Sequence, residues 1–167
     1  TTLSSSGNPV VGSYTQTASA IGGTDAGNYS FAGFTSASNY SITPLALTGT
    51  AIAPGSSVYA AALTPGAVSF GNVVGADVVT GTASVNTTTL SSSGNPIVGS
   101  YTQTAGALGG TDAGNYSFAG YTSASNYSIT PLALSGTAIA GVGTTYGTPA
   151  TMGAVSFGNV VAGDNVT

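Results

Sequence analysis

The chain has 167 residues, with four acidic residues and no Lys, Arg, His or Cys, so its formal net charge is −4. Without basic side chains nothing neutralises phosphates, which excludes nucleic acid and anionic membrane surfaces as partners. The absence of Cys excludes disulfides and thiolate metal sites, and we expect no cofactor. Hydrophobic residues make up 41% of the chain, which is enough to form a core.

Alternation of apolar and polar residues between turn signals predicts short strands, and therefore an all-β fold. In the first half of the chain the predicted strands are residues 10–17, 28–31, 38–44, 45–53, 66–74 and 78–85. A helical turn is predicted only at residues 18–27, because Gly and Pro interrupt every other window. The longest apolar stretch, residues 44–53, is far shorter than the about 20 residues of a spanning helix, so we expect no membrane span.

The second half of the chain repeats the first with an offset of 87 residues. The sequence TTLSSSGNP begins at Thr1 and again at Thr88, and the offset continues without a gap to Thr167. Eighteen of the 80 pairs differ, and ten of these lie in one variable segment, residues 54–65 against residues 141–152. A repeat of this length indicates tandem modules rather than the coils of a solenoid.

Two Ile-Thr-Pro sequences divide the repeat into modules. They predict one complete module at residues 44–130, the C-terminal half of a module at residues 1–43, and the N-terminal half of the next at residues 131–167. Neither half can bury its apolar face alone, and no charged residues guard its strand edges. We therefore predict a head-to-tail assembly in which the two halves complete each other, along one chain or between copies. No signal segment opens the sequence, so we expect a mature part of a larger protein.

The four aspartates follow the repeat, and each lies close to a glycine. A carboxylate in such a position can accept backbone N–H groups of the following turn, and the glycine can end that turn in the left-handed conformation. The predicted turn residues are Asp25, Gly27, Asp77, Asp112, Gly114 and Asp164. Calcium binding is the alternative, but two carboxylates per module supply few of the about 6–8 oxygens that calcium requires.

Aromatic residues at alternating positions predict the core. Tyr29, Phe31 and Tyr40 have strand spacing, which is more often found in a core than in a ligand platform. In the complete module the predicted core residues are Leu45, Leu47, Phe70, Tyr101, Tyr116, Phe118 and Ile129.

The stretches DAGNYSF and NYSITPLALTGTAIA resemble the YDG and MBG repeats of filamentous-haemagglutinin-like bacterial surface exoproteins. Asp112–Tyr116 and Ile129–Leu134 fit the motifs of those repeats, although Leu132 replaces their usual Lys. Their Tyr-Gly signature is present at Tyr146 but is altered at Tyr59, which Ala follows. The resemblance implies an extracellular β-grasp-like module on a bacterial surface or in a secreted filament. Immunoglobulin-like sandwich modules are the alternative fold.

The repeat and the resemblance favour a structural or adhesive segment of a secreted bacterial fibre or stalk. The alternative is a module that binds carbohydrate or another surface, such as a host or matrix polysaccharide, through the variable segment, with Tyr59 and Tyr146 as candidate contacts. We expect no enzyme, since no nucleophile has a conventional activating base. Six Asn-x-Ser/Thr triplets would accept sugars on exposed loops, but packing of Asn-Tyr-Ser is the favoured interpretation.

Overall fold

A computed structural model describes every residue from Thr1 to Thr167, and its regular elements are twelve strands and two 3₁₀ turns. The strands are β1 (Gly12–Ala18), β2 (Phe34–Ile42), β3 (Leu45–Ala46), β4 (Ala51–Ile52), β5 (Gly55–Val58), β6 (Val68–Ser69), β7 (Thr80–Val85), β8 (Gly99–Gly109), β9 (Tyr116–Ser117), β10 (Tyr121–Thr130), β11 (Ala138–Ile139) and β12 (Val155–Ser156). The 3₁₀ turns are Ala26–Asn28 and Ala113–Asn115. The predicted all-β fold is confirmed. Its subdivision as β-grasp-like or immunoglobulin-like stays a prediction.

The strands form one four-stranded sheet and four two-stranded sheets. The order in the larger sheet is β5-β10-β8-β7, with β10 antiparallel to β8 and parallel to β5. The smaller sheets pair β1 with β2, β3 with β9, β4 with β6, and β11 with β12. No helix in the chain combines the length and the apolar character needed to cross a membrane.

The β1–β2 and β8–β10 hairpins are repeat equivalents and share one irregularity. In each hairpin the register of the strand pairing shifts at the same repeat position. The shift lies between Tyr14 and Gln16 in the β1–β2 hairpin and between Ser123 and Tyr127 in the β8–β10 hairpin. Ser38 and Ser125 lie within these shifts and have positive φ angles of 53° and 51°. The repeated sequence therefore encodes the bulge itself, since both copies form it.

The chain divides into two compact units, each assembled from three separate segments. Unit 1 consists of Thr1–Ala51, Val68–Thr82 and Gly106–Gly120. Unit 2 consists of Ile52–Ala67, Ala83–Ala105 and Tyr121–Thr167. All strands of the four-stranded sheet lie within residues 44–130, whereas the limits of the units fall elsewhere. The assignment of modules at residues 1–43, 44–130 and 131–167 therefore stays a prediction.

Unit 2 has a core of buried side chains. Ile52, Ala105, Tyr127 and Ile129 are buried, and the polar side chain of Gln103 is buried with them. Gln103 Oε1 accepts a hydrogen bond from the Gly66 amide at 2.7 Å, while Nε2 donates to the carbonyls of Ala53 at 3.1 Å and Asn126 at 3.0 Å. A buried amide is tolerated here because it bonds three backbone groups.

Unit 1 buries Tyr116, and the rings of Phe70 and Phe118 meet edge to face with centroids 5.3 Å apart. Of the core predicted for residues 44–130, Tyr116 and Ile129 are buried, and Leu47, Phe70, Tyr101 and Phe118 are half-buried. The prediction was wrong for Leu45, which is 41% exposed. Its strand, β3, pairs only with β9, so no further strand covers it.

The prediction that Tyr29, Phe31 and Tyr40 lie in the core was also wrong. They are 73%, 39% and 53% exposed, whereas the counterparts Tyr116 and Tyr127 are 7% and 1% exposed. The reason is their pairing. Tyr127 lies in a strand with neighbours on both sides, while Tyr40 lies in β2, which pairs only with β1. The two tyrosines are thus buried in the second copy of the repeat and exposed in the first, while Phe118, the counterpart of Phe31, is half-buried.

Candidate functional site

The turn that begins at Asp112 differs from the prediction. Asp112 precedes the 3₁₀ turn Ala113–Asn115, but its carboxylate makes no capping hydrogen bond to that turn, and the same is true of Asp25. Gly27 and Gly114 are not left-handed, whereas Gly23 and Gly110 have φ angles of 114° and 96°. The aspartates therefore mark the turn, but the positive φ comes two residues earlier and the carboxylate is free to bond elsewhere.

The Asp112 carboxylate binds two distant backbone segments. Oδ1 accepts from the Ser5 amide at 3.0 Å, and Oδ2 accepts from the Val78 amide at 2.8 Å and the Thr111 hydroxyl at 3.3 Å. Hydrogen bonds from the Ser5 side chain and from the Val78 and Ser5 amides lower the pKa of Asp112 to about 2, although burial opposes the shift. The ionised carboxylate therefore ties the second copy of DAGNYSF to a loop of the first repeat.

Asn115 and Tyr116 extend the same junction. Asn115 Oδ1 accepts from the Val11 amide at 2.9 Å. The Tyr116 hydroxyl donates to Asp77 Oδ2 at 2.8 Å and accepts from the Val74 amide at 3.0 Å. Burial, together with the neighbouring Asp77 charge, raises the pKa of Tyr116 despite the opposing Val74 bond, so the phenol stays a donor at neutral pH.

Backbone pairing completes the junction. Leu45 and Ala46 of β3 run parallel to Tyr116 and Ser117 of β9, and the Leu47 amide donates to the Ser117 carbonyl at 2.9 Å. A charged acceptor, a phenol and a short parallel ladder thus join DAGNYSF to the repeat before it. We name this set of contacts the repeat junction.

Asp77 is the acceptor at the centre of the repeat junction. Its Oδ1 accepts from the Ser6 amide at 2.9 Å, and Ser6 Oγ donates to the Val74 carbonyl at 2.6 Å. Burial works against ionisation of Asp77, but hydrogen bonds from the side chains of Ser6, Tyr116 and Ser4 outweigh it and lower the pKa. Both carboxylates of the junction are therefore charged at neutral pH.

The counterpart of Asp77 in unit 2 is Asp164, which accepts from the Ser93 amide as Asp77 does from the Ser6 amide but has no bond from a DAGNYSF segment. Asp164 Oδ1 accepts from the Ser93 amide at 3.1 Å, and Oδ2 accepts from the Tyr59 hydroxyl. The Tyr59 hydrogen bond is the main cause of the lowered pKa of Asp164, with burial opposing it. Tyr59 Oη also lies 2.5 Å from Ser91 Oγ, and the serine hydroxyl is the donor in this contact because the single phenol proton is bonded to Asp164.

A groove of about 330 Å³ opens beside Asp164 in unit 2. Its walls are mostly apolar and include Ile97, Val98, Pro131, Leu132, Leu134, Val160, Val161 and Val166. In unit 1 the repeat-equivalent place includes Val11, Leu45, Val74 and Asp77, and there Asn115 and Tyr116 line a smaller cavity of about 160 Å³. The amides of Val98, Leu134 and Val161, which correspond to the junction donors Val11, Leu47 and Val74, bond no protein group.

The two candidate contact tyrosines have different environments. Tyr59 is half-buried and its hydroxyl is hydrogen-bonded inside unit 2. It is therefore not free to contact a ligand, contrary to the expectation from the sequence. Tyr146 is fully exposed, as is nearly all of the variable segment at residues 141–152. No group of three or more His, Cys, Asp or Glu side chains lies together in a way that could hold a metal ion.

Sequence reasoning identified the aspartates but not their partners. The acceptor of the Tyr116 hydroxyl lies 39 residues away, and the two backbone donors to Asp112 lie 107 and 34 residues away, so no local spacing could reveal them. One signal was available, since all seven residues of DAGNYSF are identical in both copies, and its Asp, Asn and Tyr each have a junction bond in the second copy.

Comparison of this chain with protein-family models, with curated proteins and with solved structures finds no match.

Proposed function

We propose that the chain is a structural and adhesive segment of a secreted bacterial fibre or stalk, built from tandem β modules that follow one another head to tail. The observation that carries this proposal lies in the repeat junction, where the Ser5 and Val11 amides of residues 1–43 donate to Asp112 and Asn115 of the module predicted at residues 44–130. Contacts that join each repeat to the one before extend a molecule lengthwise.

The use of the carboxylates supports a mechanical role rather than a catalytic one. Asp77, Asp112 and Asp164 each accept backbone amide hydrogen bonds, and the two in unit 1 hold segments from different repeats together. Charged acceptors make stronger hydrogen bonds than neutral ones, which explains the presence of Asp in a chain otherwise almost free of charge. We propose no enzymatic activity and no cofactor.

An extracellular location fits this proposal. Zero Lys and Arg leave no site for trypsin-like proteases, and zero Cys leaves no thiol to oxidise. Both properties suit a filament that persists outside the cell. The resemblance to filamentous-haemagglutinin-like surface repeats leads to the same location.

Electron microscopy of the native particle that contains this chain tests the proposal. We expect a thread or stalk whose axial repeat matches the spacing of the modules. An isolated globular particle without axial repetition would overturn the proposal. Immunogold labelling with an antibody raised against the chain distinguishes the thread from other filaments in the preparation.

A second candidate function, binding of carbohydrate, is favoured by the exposure of Tyr146 in the variable segment. A tyrosine ring in solvent offers a flat face on which a sugar can stack, and most differences between the repeats lie around it. A glycan array that compares the chain with a Tyr146→Ala variant tests this candidate. Specific signals that Tyr146→Ala abolishes would support it, and an array without signals would count against it.

A further inference from the structure

A DAGNYSF segment occupies the groove in unit 1 but not the groove in unit 2, where the Tyr59 hydroxyl is the phenol that bonds Asp164. In unit 1, Tyr116 enters beside Asp77 and is 7% exposed. In unit 2 the groove beside Asp164 holds no such segment, and the remaining copy of DAGNYSF, at Asp25–Phe31, exposes Tyr29 by 73%. The chain therefore carries one unfilled groove and one unused segment of the kind that fills it.

We propose that the groove beside Asp164 binds the Asp25–Phe31 segment of a second copy of this chain. The inference rests on the proposed function and deepens it, because it names the site and the residues that join one copy to the next. Copies joined in this way are related by a heterologous contact, which leaves a free groove and a free segment at the two ends of every oligomer.

The contacts of the docked segment follow from the repeat junction by the offset of 87 residues. Tyr29 donates to Asp164 and accepts from the Val161 amide, as Tyr116 does with Asp77 and Val74. Asn28 accepts from the Val98 amide, as Asn115 does from Val11. A carboxylate oxygen has two acceptor sites, so the Tyr59 bond to Asp164 leaves Oδ2 able to accept a second hydrogen bond, from Tyr29.

The groove residues preserve the chemistry of the filled site. Leu132, Leu134, Asn159, Val161 and Asp164 are identical to the residues 87 positions earlier. The Leu134 amide, which would pair with the Ser30 carbonyl, corresponds to the Leu47 amide that bonds Ser117 at 2.9 Å. The donors needed for docking are therefore already in place, and none of them bonds another protein group in this chain.

Two variants separate the two sides of the contact. Tyr29→Ser removes the inserted side chain, and Leu134→Glu places a charge in the groove wall. Both residues are exposed in the single chain, so neither substitution disturbs a core. The matched controls are Tyr146→Ser and Met152→Glu, which change exposed residues of the variable segment outside the groove.

Sedimentation velocity over a concentration series up to about 1 mM measures the association. We expect the wild-type chain and both controls to form a ladder of oligomers without an upper limit. Each variant alone should stay monomeric, and an equimolar mixture of the two should form heterodimers and nothing larger. This limit arises because the Tyr29→Ser chain keeps only a groove that can bind and the Leu134→Glu chain keeps only an Asp25–Phe31 segment that can bind.

A Tyr29→Phe variant tests the phenol itself and should weaken association by about tenfold or more, the effect of one hydrogen bond to a charged acceptor. Wild-type protein that stays monomeric throughout, or Tyr29→Ser protein that still forms the ladder, would overturn the docking proposal. Threads in the native particle would in either case leave the proposed function standing, with copies or modules joined by other means. Native particles without threads would instead count against the function.

Discussion

The buried amide of Gln103 gives the most direct test of why the two copies differ, because its counterpart Gln16 has the same sequence context. Gln103 is fully buried and bonds the backbone of Gly66, Ala53 and Asn126. Gln16 is exposed and has one side-chain hydrogen bond, to the Asn39 carbonyl at 3.3 Å. Replacing each by Met keeps the size of the side chain and removes the amide.

The change in the free energy of unfolding can be worked out from the backbone groups that lose their hydrogen bonds to Gln103. Gln103→Met removes three hydrogen bonds, each worth about 1 kcal/mol net, and leaves the Gly66 amide without its partner at a further cost of about 1 kcal/mol. Burial of the more apolar side chain returns about 1 kcal/mol. We expect a loss of about 3 kcal/mol in the free energy of unfolding. Gln16→Met should change it by less than about 0.5 kcal/mol, as exposed substitutions do.

Urea denaturation followed by tyrosine fluorescence and far-UV circular dichroism measures both effects. The protein concentration should be low enough that the chain is monomeric, since docking would cover part of unit 1. A lower midpoint for Gln103→Met with an unchanged Gln16→Met midpoint is the expected result. Equal shifts for the two variants would refute the assignment of a buried role to one copy alone.

Three further predictions concern acid, packing and salt. The pKa of Asp112 is about 2 in the folded protein, whereas an unfolded Asp has a pKa of about 3.9, so the stabilisation by this carboxylate is present above about pH 4 and is lost as the pH falls towards 2. Asp112→Asn should therefore remove much of the decrease in melting temperature at acid pH, as measured by thermal unfolding. The control variant Asp25→Asn should leave that decrease unchanged. Gly55→Ala should cost about 1–3 kcal/mol, because the new methyl group would lie 2.8 Å from the buried Tyr127 ring. Gly106→Ala, with no heavy atom within 4 Å of the new group, is the control, measured in the same urea titration. Raising the salt concentration should hardly move the melting temperature, since the chain has no cationic side chains and hence no side-chain ion pairs to screen; a large shift would indicate ion binding.

The sequence was sufficient to predict the fold class and the places where the chain turns. Alternation and Gly-rich turn signals located β1 and β7 to within about two residues, because these signals are local. The other strand predictions were less accurate: residues 28–31 form no strand, the stretches 45–53 and 66–74 contain only two-residue strands, and β5 was not predicted. The burial of side chains could not be predicted in the same way. Tyr29 and Tyr116 stand in the same ten-residue sequence, yet one is exposed and the other buried, since a partner segment is present only for the second. No pattern within ten residues can carry that information.

The predicted role of the aspartates was wrong for a related reason. Local turn chemistry favours a carboxylate that bonds the next two or three amides, and this led to Asp25 and Asp112 as caps. In the structure the amides of the turn bond backbone carbonyls instead, with the Asn115 amide donating to the Asp112 carbonyl at 2.9 Å. The Asp112 side chain is then free to bond Ser5 and Val78. Competition between local and distant donors could be resolved only in three dimensions.

Comparison of the two copies also shows which strand pairing the second copy cannot form. Gly55 runs parallel to Tyr127 in the β5–β10 pair, and a Cβ atom at Gly55 would lie 2.8 Å from that ring. Val142 occupies the equivalent position, so its segment cannot receive Tyr40 of another copy as β5 receives Tyr127. The groove beside Asp164, by contrast, keeps the residues that Tyr116 meets in unit 1. Docking through DAGNYSF therefore does not require the variable segment to pair, which leaves Tyr146 and its neighbours free to differ between repeats and to present a different surface.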